Sequence, residues 1–428
     1  MSDRDRIRHR KIHPALLRGL TQRRFTRREF LRGAGAGAGA VGLSAFLAAC
    51  GVSGTAPKGS ASASPSVDLG SIYGDGTPAG MLNFANWDDY IDVDENGNSP
   101  TLQAFTKETG IEVNYTTPVT DVDPFLAKVI PVLQAGQDTG YDLAVITDGG
   151  GIERILALGF ALPLDHQYLK NFEQHGSESI KDPAYDPGNT YTVAWQSGYT
   201  IIGYNKDVVD PPPTGFADLL DPKYKGKVGM FGNNTDLPCP ALVHLGYDVQ
   251  TSTPDQWQEA ADLLMKQRDD GIVRAYYDQK YIDALENHDV VISQAWSGDL
   301  FIAAAPPDYG GDGHDEIAAA IPEEGGILWT DSMWIPKGAQ HPVDAIMMMD
   351  YVYRPEVAAP LADFIWYVSP VPEAKDIVLN ELEDPLVANS PLVFPTAAQF
   401  ASSQRYRVFK DNDELEEWNS IFQPIYSS

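Results

Sequence analysis

The chain has 428 residues, of which 43% are hydrophobic and 10% aromatic, enough for a buried core and for two lobes rather than one small domain. It carries 60 Asp and Glu against 31 Lys and Arg, a net charge of −29. Such a surface repels nucleic acid and anionic lipid and attracts cations, which argues against a nucleic-acid-binding role.

The charge is unevenly spread. Residues 1–49 hold eleven Lys and Arg against three Asp and Glu, so the rest has 20 basic and 57 acidic residues, a net of −37. In the basic leader, Arg27 and Arg28 stand ahead of a mild apolar run from Gly33 to Ala49, which ends in Leu47-Ala48-Ala49-Cys50. Basic region, short apolar segment, small residues and cysteine form the order of an export signal. The paired arginines point to the twin-arginine route, and the tetrad to a bacterial lipobox whose Cys50 thiol is lipidated. The run is too short and too weakly apolar to span a membrane. Residues 51–80, rich in Ser, Ala, Gly, Pro and Thr, read as a flexible linker. Cys239 then stands without a disulfide partner in the mature chain and reads as a packed thiol.

Beyond Met81 the pattern alternates. Leu82–Asn86 reads as a strand, and Ser99-Pro100 caps a helix that Gly110 closes. Ile111, Val113 and Tyr115 alternate as a second strand, Asp123-Pro124 opens a second helix, and Asp142–Thr147 is a buried-type strand. Thr253-Pro254-Asp255-Gln256 is a capping box, Val290–Ala295 another strand, and Val343–Tyr353 a packed helix whose three methionines fill core. Strands alternating with helices imply a parallel α/β architecture, in which ligands sit beyond the carboxyl ends of the strands.

Aromatic and carboxylate residues cluster at those ends: Asn86-Trp87-Asp88-Asp89-Tyr90, Trp296-Ser297-Gly298-Asp299, and Trp329-Thr330-Asp331-Ser332. Trp and Tyr faces attract cations, and a carboxylate adds a directed bond to an ammonium group. A single Trp could equally be core packing or a sugar platform. Asp92-Val93-Asp94-Glu95-Asn96-Gly97 imitates the start of a calcium loop, but its twelfth position is Gln103, so it reads as a turn with no metal assigned. No Gly-x-Ser-x-Gly elbow, zinc helix or Walker motif occurs, which disfavours an enzyme and assigns no catalytic residue and no cofactor. Paired carboxylates for glycoside hydrolysis need no local motif and stay open as a rival.

The aromatic-carboxylate segments, with Ala104–Val113, Tyr141–Val145, Asp221–Gly226 and Pro322–Pro336, resemble the spermidine/putrescine-binding proteins of polyamine ABC importers. The resemblance runs from about Met81 to the C-terminus and implies a two-lobed periplasmic-binding-protein fold of type II, its lobes joined by crossover strands. By that resemblance residues 81–197 and 330–376 form the first lobe, and residues 198–329 and 377–428 the second. It implies a ligand wall of Trp87, Asp88, Tyr90 and Thr147, a sandwich of Trp296 and Trp329, grips at Asp331 and Asp236, and a terminal contact at Gln404. The chain departs from the family at Asn233, where a carboxylate is expected, and at Gly149, where an aromatic is expected. The implied partners are a polyamine or another small cationic solute and a membrane permease. The chain is expected to be a lipid-anchored monomer on the outer side of the cytoplasmic membrane, touching lipid through its anchor alone.

Overall fold

The computed structural model describes residues 68–427, except Glu95 and Gln279. Arg27, Arg28, Cys50 and residues 51–67 lie outside the described residues. The described part of the expected linker is structured. Leu69–Tyr73 is a helical turn, Tyr73 is buried, and its hydroxyl donates to the Pro163 carbonyl at 3.0 Å. Its apolar side chains explain the difference, because Leu69, Ile72 and Tyr73 pack on the first core.

Among the described residues ten strands form one continuous sheet: β1 (Met81–Trp87), β2 (Glu112–Val119), β3 (Leu143–Thr147), β4 (Thr192–Asn205), β5 (Val228–Phe231), β6 (Val273–Tyr277), β7 (Ile292–Trp296), β8 (Ile317–Ala320), β9 (Ile327–Trp334) and β10 (Gln404–Arg405). Their order is β2-β1-β3-β9-β4-β7-β5-β6, with β10 beside β9 and β8 beside β4. β1 pairs in parallel with β2 and β3, and β5 pairs in parallel with β6 and β7, so two parallel units flank a central antiparallel pair. That central pair is β4 and β9, and both strands are buried along their whole length. β4 carries Thr192–Ala194 opposite β9 and later aligns Thr200–Tyr204 with β7. β9 pairs through Thr330 with Ser197, then through Asp331–Trp334 with β3. These two strands are the crossovers between lobes.

Each unit is covered on both faces, as parallel sheets require. Phe84, Phe105, Trp195 and Tyr353 build one face of the first lobe, and Phe125, Ile146 and Trp334 the other. Met230, Trp257 and Trp418 build one face of the second lobe, and Phe231, Tyr281 and Leu285 the other. Met348 and Met349 are fully buried, as core filling requires. The C-terminal segment differs from expectation. Val378, Val387, Ala388 and Val393 join the first core, whereas Trp418, Phe422 and Ile425 join the second. Residues 377–394 therefore pack with the first lobe, because their apolar side chains complete its helical layer.

Local signals hold where capping sets them. Ser99 accepts from Leu102 N at 3.2 Å, and Gly110 closes the helix Pro100–Thr109 in the left-handed conformation at φ 75°. The buried Asp344 carboxylate accepts from Ala79 N, Gly80 N and Met81 N at 2.7–3.0 Å and ties the start of β1 to the helix Pro342–Tyr351.

Candidate functional site

Asp331 lies mid-β9, in register with Thr147 of β3 and Gln196 of β4. Cross-strand partners share a face. Thr147 Oγ1 donates to Asp331 Oδ1 at 2.6 Å, and Tyr90 OH donates to Oδ2 at 2.6 Å. Tyr90 reaches this point because the loop after β1 turns at Asp89, φ 52°, and because Trp195 Nε1 donates to its carbonyl at 3.2 Å. Burial pushes the Asp331 carboxyl up to about 6 against the opposing pull of the two hydroxyl bonds. Gln196 is 2% exposed, and its amide oxygen has no donor among the described residues. A buried acceptor beside a buried carboxylate leaves an unmet demand for a donor.

Asp236 lies in the second lobe, ahead of the helix Pro238–His244. Its Oδ1 accepts from Thr200 Oγ1 at 2.5 Å and from Tyr406 OH at 2.6 Å, and its Oδ2 accepts from Asn233 Nδ2 at 3.1 Å. Burial raises the carboxyl above the ordinary range, and these donors oppose the rise. Asn233 is thus the brace of Asp236: its Oδ1 also accepts from Asp236 N at 2.7 Å.

A third carboxylate, Asp299, ends the Trp296-Ser297-Gly298-Asp299 segment. It sits in the first turn of the helix Ser297–Ala304 and is partly exposed. Tyr281 OH donates to Oδ2 and Tyr367 OH to Oδ1, each at 2.7 Å, and burial of the carboxyl raises it as well. The Tyr281 oxygen also accepts from Trp296 N at 3.0 Å.

Aromatic rings join the three carboxylates. The Tyr367 ring lies 5.4 Å from Trp329 and 6.0 Å from Tyr90. Trp296 stacks on Phe231 at 4.7 Å and 22° and meets the edge of Tyr281 at 5.9 Å. Glycines make this packing possible: a Cβ on Gly198 would run into the Trp329 ring, and one on Gly298 into the Tyr367 ring. Gly149 follows the same rule. At φ 77°, its missing Cβ would lie 2.6 Å from both Thr235 and the Tyr406 ring, so Tyr406 occupies the space an aromatic there would need. Thr235 Oγ1 donates to the Gly149 carbonyl at 3.3 Å, a direct bond between lobes.

Two residues named from the sequence lie outside this constellation. Asp88 is exposed and makes no bond to the three carboxylates. The Gln404 side chain turns away, its Oε1 accepting from Val249 N at 3.3 Å, because β10 is held at the edge of β9 opposite Ile327. Trp87 is half-buried at the end of β1 beside Tyr115, whose hydroxyl donates to its carbonyl at 3.4 Å. Tyr281, Tyr367, Tyr406 and Gln196 carry no local signal, since each meets its carboxylate only through sheet packing.

Among the described residues none of Asp236, Asp299 and Asp331 forms an ion pair with Lys, Arg or His. The calcium-like loop is closed on itself. Asp92 accepts from Ser99 Oγ at 2.8 Å and Thr101 Oγ1 at 2.9 Å, and Asp94 from Asn96 N and Asn98 N at 2.9 Å.

Residues 139–402 match the family described as bacterial extracellular solute-binding protein. The chain belongs to this family. This solute-binding protein is 30% identical over 326 residues to the spermidine/putrescine-binding periplasmic protein of Salmonella typhimurium, covering 76% of this chain and 85% of that one. It is 31% identical over 319 residues to the protein of the same description in Escherichia coli K12, covering 74% and 83%. Its fold matches the spermidine/putrescine ABC transporter substrate-binding protein of Streptococcus pneumoniae with a TM-score of 0.67 at 24% identity, covering 81% of this chain and 98% of that one. A putative spermidine/putrescine ABC transporter of Listeria monocytogenes matches with a TM-score of 0.65, also at 24% identity, covering 81% and 99%. Among the described residues no helix of this solute-binding protein is long and apolar enough to cross a membrane.

Proposed function

We propose that this solute-binding protein captures a polyamine between its lobes and delivers it to a membrane permease, acting as a receptor without catalysis. The observation that carries this reading is the set of carboxylates with hydroxyl donors and no cationic partner among the described residues. Burial raises the carboxyls of Asp331, Asp236 and Asp299, so a cationic ligand that stabilised their charged forms would bind favourably there. The unmet Gln196 acceptor beside Asp331 suits an ammonium donor. The relatives' descriptions as spermidine/putrescine-binding proteins support the same ligand class.

In this reading Asp331, with Tyr90 and Thr147, grips one terminal amine, and Asp236 grips the other. Trp296 and Trp329 flank the methylene chain, and Trp87 closes the first-lobe wall. Each aromatic face contributes about 0.5–2 kcal/mol to a desolvated cation. In this reading Asp331, on β9 beside β3, serves the first lobe and Asp236, ahead of the helix Pro238–His244, the second, so a ligand spanning them favours hinge closure. Export through Arg27 and Arg28 and lipidation at Cys50 would hold the receptor on the outer face of the membrane.

The test is a calorimetric and tryptophan-fluorescence titration with diamines, longer polyamines, cationic amino acids, choline-type amines and neutral sugars. Saturable polyamine binding that Asp331→Asn abolishes is the expected result. Failure of every amine to bind, or preference for a neutral sugar, would overturn the reading.

A further inference from the structure

We infer that Tyr406 is an end wall of the cleft that limits how long a polyamine can be; this rests on the polyamine reading above. The wall stands at the Asp236 station. Tyr406 follows β10, is buried, and its hydroxyl donates to Asp236 Oδ1 at 2.6 Å. The residues on either side hold it in place. Arg405 Nη2 donates to the Ser179 carbonyl at 2.6 Å, and Arg407 donates to the Gln250 carbonyl at 2.7 Å and to Glu414 Oε1 at 2.8 Å. The ring lies over Gly149, where a Cβ would come within 2.6 Å of it. Any side chain at 149 would push the wall aside, so the glycine and the tyrosine form one arrangement. The opposite end of the cleft is backed by core: Tyr90 bonds Asp331, and Trp195, which bonds the Tyr90 carbonyl, meets Phe84 edge-on at 5.6 Å. A longer ligand must therefore extend past Asp236.

Beside the ring is a cavity lined by Gly149, Asn234, Thr235, Arg407 and Trp418 as well as by Tyr406 itself. Its 20 Å³ of free volume is enough for about one water molecule. Two of the lining side chains carry a buried atom with no partner among the described residues: Asn234 Oδ1, an acceptor, and Arg407 Nε, a donor. A water suits both, because it donates and accepts. An ammonium only donates, so it would satisfy Asn234 and set a second positive group beside the Arg407 guanidinium. The carboxylate paired with Arg407 is already engaged on both oxygens: Glu414 Oε1 accepts from Arg407 Nη2 at 2.8 Å and Oε2 from Lys410 N at 2.7 Å. The cavity thus suits water and disfavours the cation that the cleft attracts, and Tyr406 divides the two. A polyamine whose terminal ammonium overshoots Asp236 loses that station and finds no carboxylate to replace it.

The experiment titrates the full chain by calorimetry with straight-chain α,ω-diamines of four to twelve carbons, which vary length at constant charge. Wild type should show an optimum length, beyond which affinity falls about tenfold to hundredfold, the range expected for one lost charge-assisted hydrogen bond. Tyr406→Phe keeps the ring and removes the hydroxyl, so it should change every affinity by a common factor and leave the optimum in place. Tyr406→Ala removes the ring, so the optimum should move to longer diamines, or the fall beyond it should shrink to less than about threefold. Tyr406→Leu lowers the wall while filling part of its volume; it should act in the same direction and serves if the alanine variant does not fold. A length profile unchanged in the variants that lose the ring would overturn the inference, as would an optimum that moves in Tyr406→Phe. Wild-type affinity that rises steadily through twelve carbons would overturn it while leaving the polyamine reading in place. Failure of wild type to bind any amine would overturn both.

Discussion

Acidification should release the ligand, and Asp331 sets where. Its carboxyl titrates at about 6 in the free protein, mainly because burial disfavours the charge that Thr147 and Tyr90 only partly stabilise. Aliphatic amines stay protonated throughout the range in question. Binding needs the carboxylate, so at pH 5 about one Asp331 in eleven is ready, and affinity falls about tenfold relative to pH 7.5 from this group alone. Asp236 and Asp299 are raised in the same direction, so the decline should be steeper than one group allows. Stability runs the opposite way. A carboxyl whose folded value lies above its ordinary 3.8 contributes stability below 3.8, and that contribution is lost as pH rises through about 6. The free protein thus forgoes about 3 kcal/mol at pH 7.5 at this one residue. Asp331→Asn should therefore raise the melting temperature of the free protein at pH 7.5 while abolishing binding. Calorimetry in two buffers of different ionisation enthalpy would count the proton released on binding near pH 6. Constant affinity from pH 5 to 7.5 with no proton release would refute the reasoning.

Gly198→Ala forces a Cβ against Trp329 and Tyr367, so it should cost about 1–3 kcal/mol of stability and weaken ligand binding together, checked by thermal denaturation and titration. Trp329→Phe narrows the aromatic face and should reduce polyamine affinity by about 0.5–1 kcal/mol, read by calorimetry. Asp344→Ala strands the N–H groups of Ala79, Gly80 and Met81 and should cost about 3 kcal/mol in urea denaturation, with ligand affinity unchanged because the clamp lies at the far end of β1.

Much of the architecture was legible along the chain. Ser99, Gly110 and the Thr253–Gln256 box mark helix ends that the structure keeps, because capping joins atoms within one turn. The strands Leu82–Asn86 and Asp142–Thr147 and the packed thiol of Cys239 were legible for a similar reason, since local periodicity and apolar context describe burial. Trp296, Trp329 and Asp331 stood out because aromatic and carboxylate side chains share a short segment. What completes those segments comes from far away. Tyr90 meets Asp331 across 241 positions and Tyr406 meets Asp236 across 170, while Tyr367 reaches Asp299 from beyond the second crossover. The same long-range packing turned Gln404 toward Val249, drew residues 377–394 into the first core and left Asp88 in solvent. A chain pattern encodes which residues are apolar and where an element starts, since those properties depend on near neighbours. Which hydroxyl faces which carboxylate depends on sheet order and register, and these are set by the packing of β4 and β9 between two lobes.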